Sequence, residues 1–537
     1  MNYKLIGENN ILNPKEQVLK NRGTTMERLN PTEEVVEDYL NYDNIEKAME
    51  VLMYYVKNNK NIGIIIDEDA DGLCSFTVMY RYLKEFLDFE ANMLIHTKAK
   101  AHGISHDLDI QKGFFDLIIS PDGGTNNREE IKALEKDGCQ VIVLDHHLKS
   151  DDIEELDYGI IVNNQTSDKV KNKALCGAGV VYKFLCAFSD KFNLPSPNKY
   201  LDLVAIANVG DAMDISSLET RYYVKRGLED IQNPFIKSIM EVKSFEMSGK
   251  VNPMSFSFNV IPLINAVIRS GTHEEKVSII RAFVSDDEDY CKEIATKLKN
   301  IKSRQDSYVK RNMEKILKSL VVNEEDKIIL IDGTGLKNTV FGLIATKISD
   351  KYKLPCIMYS VNEGICGGSA RGLEPIFLKE DLKNSGLVDK CEGHNNAHGV
   401  LFKQENLESL KEYMNKLYKD IYFGNSKVYE VDFEVYDFFL DKALVEQLSY
   451  FEDEVSRGFE QPLIAIKDVP LALTDENVKG KLNVIFEVGD VKIIKRFASK
   501  VWKGEYLYNP MTVDIIGKCV KGYNDESVVE IVDLIVK

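Results

Sequence analysis

The sequence predicts a multidomain α/β protein in which a parallel-sheet unit and a smaller α/β unit are joined by a long helix and followed by a C-terminal β-barrel. Three observations predict it. Short apolar runs alternate with amphipathic helical stretches through the first half of the chain, the pattern of parallel strands linked by crossover helices. The charged stretch CKEIATKLKNIKSRQDSYVKRNMEKILKSL carries only a thin apolar stripe, which suits a helix bridging two units. After Tyr429, short runs of alternating apolar and polar residues are separated by turn residues, as in half-buried strands. At 537 residues the chain also exceeds what one core organises, taking about 150 residues per domain.

Residues 1–44 are polar and turn-rich and read as a lead-in segment, with Thr32, Glu33 and Glu34 after Pro31 in the style of a helix start. In residues 45–286, Ala48, Val51, Leu52, Tyr55 and Val56 recur at helical spacing. Apolar runs at 62–66, 117–119 and 141–144 then read as strands, with helical patterns between and after them. Residues 287–322 form the connecting helix. Residues 323–425 form the second α/β unit, with strand-like IILID and CIMYSV on either side of a helix over 341–351. Residues 426–537 contain PLIAIKD, KLNVIFEV, VKIIKRF, MTVDIIGKCV and VVEIVDLIV, which suit a small antiparallel barrel.

Composition narrows the class. Hydrophobic residues make up 44% and charged residues 29% of the chain, and no run approaches the ~20 apolar residues that cross a bilayer. The N-terminal MNYKLIGENNILNPKEQ has no basic stretch followed by an apolar one, so a cytoplasmic protein is expected. The nine cysteines form no CxxC pair, and reduced, buried thiols are expected. A net charge of −18 argues against nonspecific duplex binding, so any phosphate-binding surface must be a local inversion of sign. The basic stretch from Lys495 to Lys503 could line a strand path, and Trp502, Tyr506 and Tyr508 are either base-stacking groups or barrel core.

The chemistry sits at the strand ends. The first strand is followed by Asp67-Glu68-Asp69-Ala70-Asp71-Gly72, the second by Asp122-Gly123-Gly124 and the third by Asp145-His146-His147. In an open α/β sheet, groups beyond the carboxyl ends of the strands share one crevice. One acidic residue there is an ordinary cap or turn, but so many carboxylates together demand cations. Oxygen and imidazole ligands without thiolate favour Mn²⁺, with Mg²⁺ possible. Two such ions held about 3.5–4 Å apart by a bridging carboxylate are suited to phosphodiester hydrolysis.

Asp-His-His with DxDxDG upstream resembles the DHH phosphoesterase superfamily, and the surrounding sequence resembles its RecJ-like branch, exonucleases of single-stranded DNA. Leu175-Cys176-Gly177-Ala178-Gly179-Val180 is similar to that family's LAGVGV, Ala205–Asp211 to its ALGTVAD, and Ile264-Asn265-Ala266 with Arg269 to its INAxGR. Gly368-Ser369-Ala370-Arg371 and Gly393-His394-Asn395-Asn396-Ala397-His398-Gly399 resemble the GSAR and GGHxxAAG signatures of the DHHA1 domain, and the segment from Phe459 resembles the OB-fold that follows it.

The resemblance implies that Asp67, Asp69, Asp122, His146 and Asp211 are metal ligands, with Asp122 bridging. His147 would contact metal or scissile phosphate. Asp71 would be a supporting ligand or a group that orients the loop, with Gly72 permitting close backbone approach. Arg371 and His394 would donate to phosphate oxygens, Ser369 and Gly393 would give backbone access, and Arg269 is either a phosphate clamp or a surface ion-pair partner. The chain departs from the family pattern at Ile64–Ile66, Gly123, Glu392 and His398. Glu392 would repel a phosphate unless turned away.

The activity implied is removal of nucleotides from single-stranded DNA, from the 5′ end, in repair, recombination or replication. A phosphodiesterase of short oligonucleotides or cyclic dinucleotides, and a non-catalytic strand-binding scaffold, are the alternatives. No phosphate loop of the ATP-driven motors is present, so a helicase or a single-strand-binding protein is the expected partner of a monomer.

Overall fold

The computed structural model describes residues 3–97, 102–105, 108, 110, 113–150, 158–421, 423, 428–480, 482–522 and 526–537; the side chain of His394 lies outside this set. The N-terminal strand β1 (Tyr3–Leu5) is followed by the helix Pro14–Asn21. The first unit holds β2 (Ile62–Ile66), β3 (Asn92–Ile95), β4 (Leu117–Pro121), β5 (Gln140–Asp145) and β6 (Ile160–Asn163), paired in the order β3-β2-β4-β5-β6 and all parallel. β2 and β4 are buried at every position, because helices cover both faces, and this is why they read as unbroken apolar runs. The strand order reverses between β2 and β4, and the crevice at that switch point is where this architecture collects ligands.

The helix Glu288–Ser319 spans 32 residues, about 48 Å at 1.5 Å per residue. Its first half, through Cys291, Ile294, Leu298 and Ile301, packs into the core of the first unit. Its second half, around Val309, Met313 and Ile316, packs into that of the second. The thin apolar stripe thus serves two partners in succession.

The second unit contains β7 (Ile329–Asp332), β8 (Cys356–Asn362), β9 (Ile365–Arg371), β10 (Lys390–His394) and β11 (Ala397–Lys403), ordered β10-β11-β9-β8-β7. Only β7 and β8 run parallel; the other pairs are antiparallel.

The C-terminal unit begins with β12 (Tyr429–Val431). It continues through β13 (Phe433–Tyr436), β14 (Leu463–Leu471), β15 (Val478–Lys479), β16 (Asn483–Val488), β17 (Val491–Lys495), β18 (Met511–Lys521) and β19 (Ser527–Val536). The sheet order is β13-β14-β18-β19-β17-β16-β15, and no pairing among the described residues joins β13 to β15. The β13/β14 and β17/β19 pairs are parallel, so the expectation of a purely antiparallel arrangement is corrected. Alternation along a strand reports which face is buried, not the direction of its neighbour.

The N-terminal segment is more than a lead-in. β1 pairs in parallel with β12, and Val18, Leu19 and Leu29 are buried in the C-terminal core. Each such apolar side chain contributes about 1.5–3 kcal/mol, so the segment is anchored there. Arg22 adds two hydrogen bonds to Asp432, of 3.0 and 2.8 Å. All nine cysteines are free, and all but Cys186 are buried. No described helix is long and apolar enough to cross a membrane.

Candidate metal centre

Asp67 directly follows β2, is buried, and accepts from the Glu68 amide at 2.9 Å; its second oxygen lies 3.0 Å from Nδ1 of His102. Asp69 caps the helix Ala70–Leu87 by accepting from the Gly72 amide at 2.9 Å. Asp71, the second residue of that helix, is buried. It accepts from the amides of Gly177 and Ala178 at 2.7 and 2.8 Å, capping the helix Gly177–Phe192 of the LCGAGV segment. A carboxylate at a helix N-terminus is favoured by the exposed N–H groups and the dipole. Glycine is needed at both contacts: a Cβ on Gly72 would stand 2.5 Å from Asp67, and one on Gly177 2.5 Å from Oδ1 of Asp122.

Asp122 follows β4 in the left-handed conformation, φ 64°, a backbone state costly for a non-glycine residue and concentrated at functional sites. Its amide donates to Leu144 at 2.8 Å, while its Oδ1 is buried without a hydrogen-bond partner. Nε2 of His146 stands 3.2 Å from that oxygen, 3.6 Å from Asp71 and 3.8 Å from Asp211. Asp211 ends the helix Leu201–Gly210. Ligand atoms of Asp122, His146 and His147 lie within 4.8 Å of one another, as do those of Asp71, His146 and Asp211.

Asp145, the first residue of the Asp-His-His run, does not point into this cluster. Its Oδ1 accepts from the amides of His146 and His147 and lies 2.8 Å from Nδ1 of His147, while Oδ2 accepts from the Thr125 amide. It therefore fixes the His147 ring and leaves Nε2 facing the crevice. Asn163 supports the same turn through the His147 carbonyl at 2.9 Å. Asp145 and His102 are the residues that sequence reasoning gave no separate role. The position of Asp145 beside two histidines was the available signal, and His102 offered none.

Clustered buried carboxylates dominate the electrostatics of the crevice. Burial, then the neighbouring carboxylates, push Asp122 far above the ordinary carboxylate range, Asp69 up to about 6 and Asp211 up to about 8. Burial alone would raise Asp145 too, but the His147 hydrogen bond and charge hold it well below its usual value. Burial would lower His147, yet the same pair pushes it up to about 10. His146 is lowered by burial, which favours the neutral imidazole that can ligate. An unpartnered buried carboxylate oxygen beside two imidazoles, in a crevice of mutually repelling acids, is a donor set that fits hard divalent cations.

A cleft of about 510 Å³ separates the end of the helix Ile261–Ser270 from the loop 334–339 of the second unit. Arg269 keeps part of its side chain exposed on the cleft wall, while desolvation of its guanidinium lowers its proton affinity and Asp69 partly restores it. Arg371, at the end of β9, is lowered by burial and next by Arg269. Guanidinium groups from the two units are thus close enough to feel each other's charge, and Arg269 also feels that of Asp69. Ser369 is buried on the same strand, beside an adjoining hollow of about 400 Å³. Gly393 is on β10 with φ 119°; the side chain of His394 lies outside the described residues. Glu392 pairs with Lys390 at 2.5 Å on the exposed side of its strand, and His398 is buried. In the C-terminal unit Tyr506 is buried and Trp502 packs half-buried against the core, while Tyr508 is exposed and donates to Asp475.

Residues 61–208 match the DHH family, N-terminal domain. The chain is 33% identical to the SPbeta prophage-derived protein YorK of Bacillus subtilis, whose name describes a single-strand DNA-specific exonuclease; the match covers 96% of this chain and 95% of that one. It is 25% identical to the single-stranded-DNA-specific exonuclease RecJ of the same organism, over 70% of this chain and 47% of that longer protein. The crystal structure of Thermus thermophilus RecJ in complex with Mn²⁺ has the same fold. Its TM-score is 0.78 at 21% identity, covering 97% of this chain and 75% of that one.

Proposed function

This chain belongs to the RecJ-like family of DHH single-strand DNA-specific exonucleases, and on that premise we propose that it hydrolyses phosphodiester bonds of single-stranded DNA from the 5′ end with two divalent metal ions. The observation that carries the proposal is the convergence of Asp122, His146, His147, Asp71 and Asp211 at the switch point of the first sheet. Asp67, Asp69, Asp122, His146 and Asp211 would hold the ions, with Asp122 the central ligand of the set. Mn²⁺ is the preferred ion because the set combines carboxylate and imidazole. Bound there, the ions would supply an activated water and neutralise charge on the phosphoryl oxygens.

The residues of the chain do the rest. Asp145 holds His147 with Nε2 toward the crevice, where it contacts metal or the scissile phosphate. Asp71 ties the acidic loop to the start of the helix Gly177–Phe192 and is better placed to orient that loop than to ligate. Arg269 and Arg371 bind successive backbone phosphates and draw the strand across the cleft toward Asp122, with Ser369, Gly393 and His394 giving further donors. The C-terminal unit, proposed as an OB-like strand-binding domain, extends the path. Domain limits of 45–286, 287–322, 323–425 and 426–537, a cytoplasmic monomer, and a helicase or single-strand-binding partner complete the proposal.

The test is digestion of single-stranded DNA labelled at either end, with Mn²⁺, with Mg²⁺ and with chelator. Metal-dependent release of short products from the 5′ end is expected. Cleavage confined to dinucleotides or cyclic dinucleotides, or binding without cleavage, would overturn the assignment.

A further inference from the structure

The helix Leu201–Gly210 that delivers Asp211 ends unusually. The Ala212 amide donates to Val209 and the Met213 amide to Asn208, which is the hydrogen-bond pattern of a Schellman termination with Ala212 at the left-handed position. Its φ is 52°. Glycine is the residue expected there, and alanine costs about 1 kcal/mol or more in that conformation. The residue next to a proposed metal ligand is therefore held in a conformation it does not favour by itself.

The C-terminal unit supplies the support. Ser456 and Phe459 exchange hydrogen bonds of 3.0 and 3.1 Å, so Arg457 and Gly458 form the tip of a tight turn. Nη1 of Arg457 donates to the Ala212 carbonyl at 2.8 Å, and the Arg457 carbonyl accepts from the Ile215 amide at 3.1 Å. Gly458, φ 82°, fits so closely that a Cβ would stand 2.0 Å from Oδ1 of Asp214. The turn itself cannot drift. Phe459 is buried, with the guanidinium groups of Arg22 and Arg28 over its ring at 4.8 and 4.3 Å, and Glu454 forms a buried ion pair with Arg221 of the first unit.

We propose that Arg457, supplied by the C-terminal unit, is a positioning residue for Asp211, holding the strained Ala212 turn so that the metal centre is complete only when the two units are docked. This rests on the metal assignment above and adds a structural task to a unit otherwise assigned to strand binding. Geometry and charge pull in opposite directions here, which makes the idea testable. The Arg457 guanidinium is close enough to oppose the rise of Asp211, so a purely electrostatic role predicts that its removal strengthens cation binding. A positioning role predicts the reverse.

Direct titration of full-length protein with Mn²⁺, read by the electron paramagnetic resonance of the free ion, separates them. Arg457→Ala should weaken Mn²⁺ binding about 10-fold, the loss typical of an outer supporting contact. Adding Ala212→Gly, which relieves the left-handed strain, should recover most of it. Arg457→Ala binding Mn²⁺ as tightly as the parent or more tightly, or weak binding that Ala212→Gly leaves unchanged, would overturn the inference. A parent protein that binds no Mn²⁺ would instead overturn the metal assignment on which it rests.

Discussion

The crevice of the first sheet and the cleft that faces the second are built on the same physical idea with opposite sign. In the crevice, carboxylates are buried together and Asp122, Asp69 and Asp211 are driven toward protonation. At the cleft, Arg269 lies on the wall and Arg371 is near enough to feel its charge, and both lose proton affinity, chiefly through burial. Each cluster is unfavourable alone, and on the proposed assignment each would be relieved by one half of a metal-bound phosphodiester. Like charges held at such a cost mark groups preorganised for a ligand rather than for stability. The difference is in rigidity: the acids are pinned by caps and turns, whereas Arg269 is exposed on the wall of an open cleft.

The comparison breaks most sharply at Asp122. Asp122→Asn should lower cleavage by on the order of 10³-fold and at the same time raise the melting temperature of the metal-free protein, because it removes a repelled buried acid. Calorimetry in chelator beside a nuclease assay would check both. Asp145→Asn should lower kcat by about 10- to 100-fold with little change in KM, because His147 loses the contact that fixes its ring; steady-state kinetics would show it. On the cationic side Arg371→Ala should raise KM about 10-fold or more with a smaller effect on kcat, the reverse split from Asp145→Asn.

The smallest effect is on stability against pH. Asp69 and Asp211 have folded values near 6 and 8, above the ~4 of an unfolded aspartate. Their contribution is therefore full below about pH 4 and is lost as pH rises through about 6 and then 8. In chelator the melting temperature should fall by roughly 5 °C between pH 5 and pH 8.5, and saturating Mn²⁺ should abolish the fall. A fall unaffected by Mn²⁺ would detach the acids from metal binding.

What was legible in the sequence follows the same division. Asp67, Asp122 and Asp145 could be placed because apolar runs announce the strands and the residues after them must meet at one edge. The partners of those residues were not legible. Asp71 meets Gly177 and Ala178 across more than a hundred residues of chain, and His102, which reaches Asp67, stands in a stretch of sequence without periodicity. Tyr3–Leu5 looked like a polar lead-in because a three-residue strand has no pattern of its own; only its pairing with Tyr429–Val431 defines it. In the C-terminal unit, alternation exposed the strands but could not reveal that β13/β14 and β17/β19 run parallel. Tyr506 and most of Trp502 turned inward, where aromatic rings bury more area than on a surface.

The most direct test of the account is a crystal of the protein soaked in Mn²⁺ and measured at the manganese absorption edge. The expected result is two anomalous peaks about 3.5–4 Å apart, both touching Asp122, with His146 on one of them. A single peak away from Asp122, or none at saturating Mn²⁺, would contradict it.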